Sequence, residues 1–152
     1  MESIKQYYKN GNKQSEAYYK NDKLHRTNGP SYITYYENGA ISEETYYDNG
    51  HITRENGPAV IGYYNNGTVQ EEIYFKDDYY HRINGPAHIC YFVNGNVESE
   101  KYYKMDVLHR LDGPAIVTYN KNKDIVYQAF YINNEELDEF KYLVMMASKK
   151  NI

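Results

Sequence analysis

The sequence predicts an all-β repeat protein: an elongated, twisted antiparallel meander of about five 28-residue β-hairpin units, with a C-terminal capping α-helix. Three observations lead to it. Near-identical heptapeptides, HRTNGPS from His25, TRENGPA from Thr53, HRINGPA from His81 and HRLDGPA from His109, start 28 residues apart. Aromatic pairs keep the same step, at Tyr7-Tyr8, Tyr35-Tyr36, Tyr63-Tyr64 and Tyr91-Phe92, and again at Tyr18-Tyr19, Tyr46-Tyr47, Tyr74-Phe75 and Tyr102-Tyr103. Between these series stands Asn-Gly, at Asn10-Gly11, Asn38-Gly39, Asn66-Gly67 and Asn94-Gly95.

Each Asn-Gly is flanked by runs rich in Tyr, Ile, Val and Thr, which is the pattern of a hairpin closed by a type I′ turn. Period-2 alternation sorts the strands. One face carries Ala87, Ile89 and Tyr91 with Glu98, Glu100 and Tyr102; it repeats better than the opposite face, with His88, Cys90 and Phe92, and is expected to be the buried one. A lone hairpin is marginal in water, so the units are expected to pair edge to edge and stabilise one another. The Gly-Pro corner starts each new hairpin: glycine permits the sharp turn, and proline at a strand's first residue costs no ladder hydrogen bond.

The repeat array is assigned to residues 1–134 and the capping helix and tail to residues 135–152. Asn134 is read as the N-cap of a helix beginning Glu135-Glu136. Its apolar stripe, Leu137, Phe140, Leu143, Val144 and Ala147, is expected to pack on the last hairpin, with Lys149-Lys150 closing it.

Charge and composition narrow the function. A net charge of −4 argues against nucleic acid or anionic lipid as the main partner, since both demand clustered Lys and Arg. Cys90 is the one cysteine, which excludes a disulfide framework or a Cys-type zinc cluster and suits a reducing compartment; its thiol is expected to serve packing. The start MESIKQYYKNGN has no apolar signal core, and no run reaches the roughly 18 apolar residues of a membrane helix. An intracellular, non-secreted location is expected.

The motif HRxxGPAxxxYxxNGxxxxExYY resembles the MORN-like repeats, especially the YwqK-type variant, and the repeat proteins of giant DNA viruses of the Mimivirus group. The likeness covers nearly residues 1–134. It implies an elongated sheet of successive hairpins, a binding or scaffolding role and no catalytic residues. A viral source would place the chain in host cytoplasm or the virion. The units here are longer than standard MORN units, and the HR and GP elements stand in place of the usual His-Gly-x-Gly segment.

The chain's only arginines, Arg26, Arg54, Arg82 and Arg110, share one slot of the repeat, and Glu16, Glu44, Glu72 and Glu100 share another. A catalytic centre needs one asymmetric constellation, whereas these recur in every unit. They are read as a structural ladder in which Arg neutralises a Glu half-buried among tyrosines. Equivalent histidines, His25, His81 and His109, lie two strand spacings apart, roughly 10 Å, too far to share a metal. No Ser-His-Asp order, phosphate-binding loop or HExxH segment occurs. Neither an enzyme nor a metal or other cofactor is expected. The expected function is protein–protein interaction through the irregular face, with Tyr36, Tyr64, His88 and Phe92 as candidate anchors. The N-terminal strand near Ser3 to Tyr8 is a candidate edge for a homodimer. Two alternatives are a small-ligand, carbohydrate-type module using the tyrosines and the membrane-associated scaffold that the MORN resemblance suggests.

Overall fold

In the computed structural model, which describes residues 2–149, each repeat unit forms two hairpins rather than one. The long hairpins are β1 (Glu2–Tyr7) with β2 (Lys13–Lys20), β4 (Tyr32–Tyr35) with β5 (Ile41–Thr45), β8 (Val60–Tyr63) with β9 (Val69–Ile73), β12 (His88–Tyr91) with β13 (Val97–Lys101), and β16 (Ile116–Tyr119) with β17 (Ile125–Ile132). The short ones join the end of β2 to β3 (Lys23–Leu24), β6 (Tyr47–Asp48) to β7 (His51–Ile52), β10 (Phe75–Lys76) to β11 (Tyr79–Tyr80), β14 (Tyr103–Lys104) to β15 (Val107–Leu108), and the end of β17 to β18 (Glu135–Leu137).

A 12-stranded antiparallel sheet runs β1-β2-β4-β5-β8-β9-β12-β13-β16-β17-β18, with β3 added to β2, and three two-stranded ribbons stand off it. The expected meander with its C-terminal helix is therefore present. No helix among the described residues is long and apolar enough to cross a membrane.

The turn chemistry differs from the sequence reading. At Asn-Gly, only the glycines have positive φ: Gly11 (88°), Gly39 (88°), Gly67 (85°) and Gly95 (83°). The Tyr8 amide donates to the Asn12 carbonyl (2.8 Å) and the Gly11 amide to the Tyr8 carbonyl (3.0 Å), giving a three-residue loop that ends in a left-handed glycine. Asn10 stays right-handed because its side chain is used: Oδ1 accepts from the Asn12 amide (3.0 Å), as Asn38 does from Ala40 and Asn94 from Asn96. Each long hairpin then gains a bulge, so that Tyr63 pairs with Val69 while Gly62 already pairs with Glu71.

The type I′ geometry belongs instead to the short hairpins. Both central residues have positive φ at Asn21-Asp22 (51°, 59°), Asn49-Gly50 (50°, 90°), Asp77-Asp78 (50°, 71°), Met105-Asp106 (53°, 62°) and Asn133-Asn134 (53°, 65°). The fifth of these turns corrects the expected helix start. Asn134 is a turn residue, Glu135–Leu137 is strand β18, and α1 spans Glu139–Lys149. The last unit completes its second hairpin before a helix can begin. Asp138 is the cap: its Oδ1 accepts from the Lys141 amide (2.8 Å) and its carbonyl from the Tyr142 amide (3.0 Å). Lys150, expected to help close the helix, lies outside the described residues.

The helix also turns a different face inward. Tyr142 is its buried anchor, with its ring 4.5 Å from that of Phe130 and its hydroxyl donating to the Leu111 carbonyl (2.7 Å). Of the expected packing stripe, Phe140, Leu143, Val144 and Ala147 are exposed, and Leu137 is half-buried in β18 ahead of the helix. One aromatic that can both stack and donate a hydrogen bond outweighs the aliphatic stripe.

In the sheet, the regular face is the more deeply buried, with Ile33, Tyr35, Ala59, Ala87, Ile89, Ala115 and Val117. The opposite face is covered in part, because the short hairpins fold over it. The Tyr80 ring lies 6.1 Å from that of His88, and Thr45, Val60 and Ile73 are buried there too.

Lys123 holds φ 71° in the slot where the four earlier units have glycine. Lys123→Gly is expected to stabilise the protein by about 0.5–1 kcal/mol, because an L-residue is disfavoured in that region. Scanning calorimetry should show a raised Tm; an unchanged or lower one would contradict the left-handed loop.

Candidate functional site

The register sets a row of side chains across the buried face. Glu44 pairs with Ile33 on one side and Ile61 on the other, Glu72 with Ile61 and Ile89, and Glu100 with Ile89 and Val117. A carboxylate flanked by aliphatics must be hydrogen-bonded. The donor arrives from the following unit: Tyr63 Oη donates to Glu44 (2.9 Å), Tyr91 to Glu72 (2.8 Å) and Tyr119 to Glu100 (2.9 Å). Burial, and then the bond to Glu100, pushes the Tyr119 phenol up to about 12, and Tyr63 and Tyr91 are raised for the same reasons.

Glu16 closes the row at the N-terminal end. Only 8% of its side chain is exposed, and Lys5 (3.3 Å) and Lys13 (2.9 Å) reach it. Burial alone would raise its pKa, but hydrogen bonds from Lys13, Tyr18 and Lys5 outweigh it and lower the carboxyl to about 2.

Two further sets of bonds tie each unit to the next. Tyr8, Tyr36 and Tyr64 donate their hydroxyls to the carbonyls of Tyr35 (2.7 Å), Tyr63 (2.6 Å) and Tyr91 (2.7 Å). In the short hairpins, Asp78, Asp106 and Asn134 accept from the amides of Ile52 (2.6 Å), Tyr80 (2.7 Å) and Leu108 (2.7 Å) one unit back. Of the four residues expected to anchor a partner, Tyr36 and Tyr64 thus spend their hydroxyls inside the array. Phe92 is half-exposed, and His88 Nε2 lies 3.0 Å from Glu71.

The arginines do not pair with this glutamate row. Among the described residues no Arg–Glu ion pair forms, and the arginine ion pair present joins Arg110 to Asp112 (2.8 Å). Each guanidinium instead stacks on a tyrosine: Arg26 on Tyr18 (3.9 Å), Arg54 on Tyr46 (3.8 Å), Arg82 on Tyr74 (3.7 Å) and Arg110 on Tyr102 (3.9 Å). Each also donates to the carbonyl of its own corner proline, at Pro30, Pro58, Pro86 and Pro114 (3.1–3.2 Å). The neighbouring glycine is required by this packing, since a Cβ at Gly85 would stand 3.2 Å from the Arg82 guanidinium, where φ is 148°. HRxxGP is a self-locking corner whose cation needs no carboxylate.

Two of the corner histidines serve the next turn, whereas the buried Nδ1 of His81 has no hydrogen-bond partner among the described residues. His25 is buried and lies 2.8 Å from Asp48, and the Asn133 amide donates to His109 (3.3 Å). Consecutive corners enclose open clefts. The first lies between the corners at Arg26 and Arg54 (about 700 Å³), the second between Arg54 and Arg82 (about 970 Å³), and the third between Arg82 and Arg110 (about 510 Å³).

This architecture defines an all-β repeat array whose units are stapled to their neighbours. Three stretches of it, residues 4–21, 31–49 and 59–77, match the MORN repeat variant. They are the first three long hairpins, each running to the short turn, and the corners fall between them. No curated protein and no solved structure matches the chain.

The short-hairpin turns were the chief omission of the sequence reading. Their signal was there: paired Asn, Asp or Gly at 21–22, 49–50, 77–78 and 133–134 keep the 28-residue step.

Tyr91→Phe is expected to cost about 1–3 kcal/mol, because Glu72 loses its donor while staying half-buried; urea unfolding will measure it, and a loss near zero would contradict the row. Since the folded-state pKa of Tyr119 is raised, its contribution is complete below pH 10 and is lost as pH rises toward about 12. Phenolate absorbance should show a class of tyrosines ionising only with loss of β-sheet signal. For Glu16, lowered from 4.5, the contribution is complete above that value and lost as pH falls toward about 2, so the stability of Glu16→Gln should be less pH-dependent than wild type in that window.

Proposed function

We propose that the chain is a non-enzymatic scaffold that holds an extended segment of a partner protein along its row of corner clefts. The observation that supports this reading is the recurrence of the clefts once per unit, on one series of corners. One unit advances the sheet by two strands, about 10 Å, and a partner segment in the extended polyproline II conformation advances about 3.1 Å per residue with about three residues per turn, so every third partner side chain faces the same way and meets an equivalent cleft. Tyrosine faces and guanidinium groups, both frequent anchors at protein interfaces, line the clefts. In the third, Arg82, Lys104 and Arg110 face a single carboxylate, Asp112, which suits an acidic segment. The MORN repeat variant found in three units is in keeping with an interaction scaffold.

Ile83, 84% exposed, and Leu111 stand at the rim of the third cleft and can be changed without disturbing the lock. Cross-linking in native cells supplies candidate partners, and each is then tested as purified protein. Ile83→Glu with Leu111→Glu is expected to weaken the genuine partner at least tenfold at unchanged Tm, and raised salt should weaken it further. Unchanged affinity for every candidate, or saturable binding of sugars instead, would remove this reading.

Free edge β1 supports a second contact. All six of its residues are exposed and, among the described residues, only β2 pairs with it, so a second copy can add there. Light scattering at high concentration should give the mass of two chains; one chain's mass would remove the dimer.

A further inference from the structure

Two slots of the repeat change together in the fourth hairpin, on the irregular face. Where the other units hold Tyr32, Val60 and Ile116, the fourth hairpin has His88; where they hold Thr34, Gly62 and Thr118, it has Cys90. Cys90 pairs directly with Glu71 across β12 and β9, and His88 lies two residues along on the same face. Beyond Glu71, its partner on β8 is Gly62, where a Cβ would stand 3.0 Å from the Glu71 Cγ. That glycine leaves the room in which the Glu71 side chain lies.

The three donor atoms converge. His88 Nε2 is 3.0 Å from Glu71 Oε2 and 3.4 Å from Cys90 Sγ, and one donor atom from each of the three residues lies within 4.8 Å of the others. Tetrahedral zinc with bonds of about 2.0–2.1 Å to nitrogen, about 2.0–2.2 Å to oxygen and about 2.3 Å to sulfur puts neighbouring ligands about 3.3–3.6 Å apart. The spacing in the apposed strands is already close to that. We propose that Glu71, His88 and Cys90 form a three-ligand site for zinc or a similar borderline-soft divalent cation, departing from the metal-free expectation of the sequence.

The mixed oxygen, nitrogen and sulfur set favours zinc over magnesium or calcium, which take oxygen ligands. His88 and Glu71 keep 18% and 35% of their side chains exposed, so the fourth position faces solvent and takes water. The Tyr80 ring, 6.1 Å from that of His88, stands beside the site and limits how the imidazole can turn. The other histidines lack this arrangement. His25 and His51 each meet one aspartate, His109 caps a turn, and His81 Nδ1 meets no polar partner among the described residues.

The test uses the untagged full chain, with Zn²⁺ in calorimetric titration and Co²⁺ as a spectroscopic stand-in. One equivalent of metal should bind, Co²⁺ should give a thiolate charge-transfer band with tetrahedral d–d intensity, and Zn²⁺ should raise the Tm. Three substitutions borrow residues that other units hold in these slots: His88→Val, Cys90→Thr and Glu71→Ser. Each is expected to lower Zn²⁺ affinity at least about tenfold, no less than loss of a supporting group costs at other metal sites. Metal-free Tm values close to wild type will show that they fold. No bound metal, a Co²⁺ complex without the thiolate band, or undiminished binding in Cys90→Thr would each overturn the site, and the first two need no variant.

Discussion

A carboxylate set between two aliphatic side chains on every second strand is the constraint around which this array is arranged. Glu44, Glu72 and Glu100 sit opposite isoleucine or valine on both sides, where water alone is a poor partner, and the needed donor is a phenol one hairpin further on. None of these three glutamates takes a hydrogen bond from its own unit among the described residues. The sheet therefore propagates: each hairpin is complete only when the next has docked, and a slip of one residue would carry phenol and carboxylate to opposite faces. The ends follow the same logic. Glu16 is met by Lys5 and Lys13 of its own hairpin, while the last unit carries neutral Gln128 in the slot.

Corners solve a different problem with separate residues. Guanidinium, phenol ring, glycine and proline carbonyl lock together within one motif, so the arginines are free of the glutamate row and can line the spaces between corners. The repeat thus divides its side chains between two tasks. Those inside the sheet hold units together, and those at the corners shape the recurring clefts. The irregular face, half-covered by short hairpins, is where one unit departs from the rest at Glu71, His88 and Cys90.

Much of this was legible in the sequence, because a strict period reports architecture directly. The 28-residue step, period-2 alternation and Asn-Gly pairs located the five long hairpins and the more deeply buried face. Partners were harder to read. Alternation says which face a side chain occupies, not which atom it meets, so arginine was matched to glutamate by charge when tyrosine, 19 residues beyond each carboxylate, was the donor. Asn-Gly suggested a type I′ turn, yet the asparagine side chain holds the following amide and keeps its own backbone right-handed. The same blindness to a fifth short turn at Asn133-Asn134 placed the helix four residues early. The metal-ligand spacing of Glu71 to its partners was invisible for a simple reason: it depends on two strands 17 residues apart in sequence.

The clasp that Tyr8, Tyr36 and Tyr64 fasten onto the following hairpin is missing at the fourth junction, where Phe92 has no hydroxyl to offer. The hairpin beyond it is already the odd one, with a lysine forced into a glycine's conformation. The fourth junction therefore holds one inter-unit hydrogen bond of this kind fewer than the three before it. Tyr142, reaching from the helix back to the carbonyl of Leu111, ties the helix to the corner that opens the last unit.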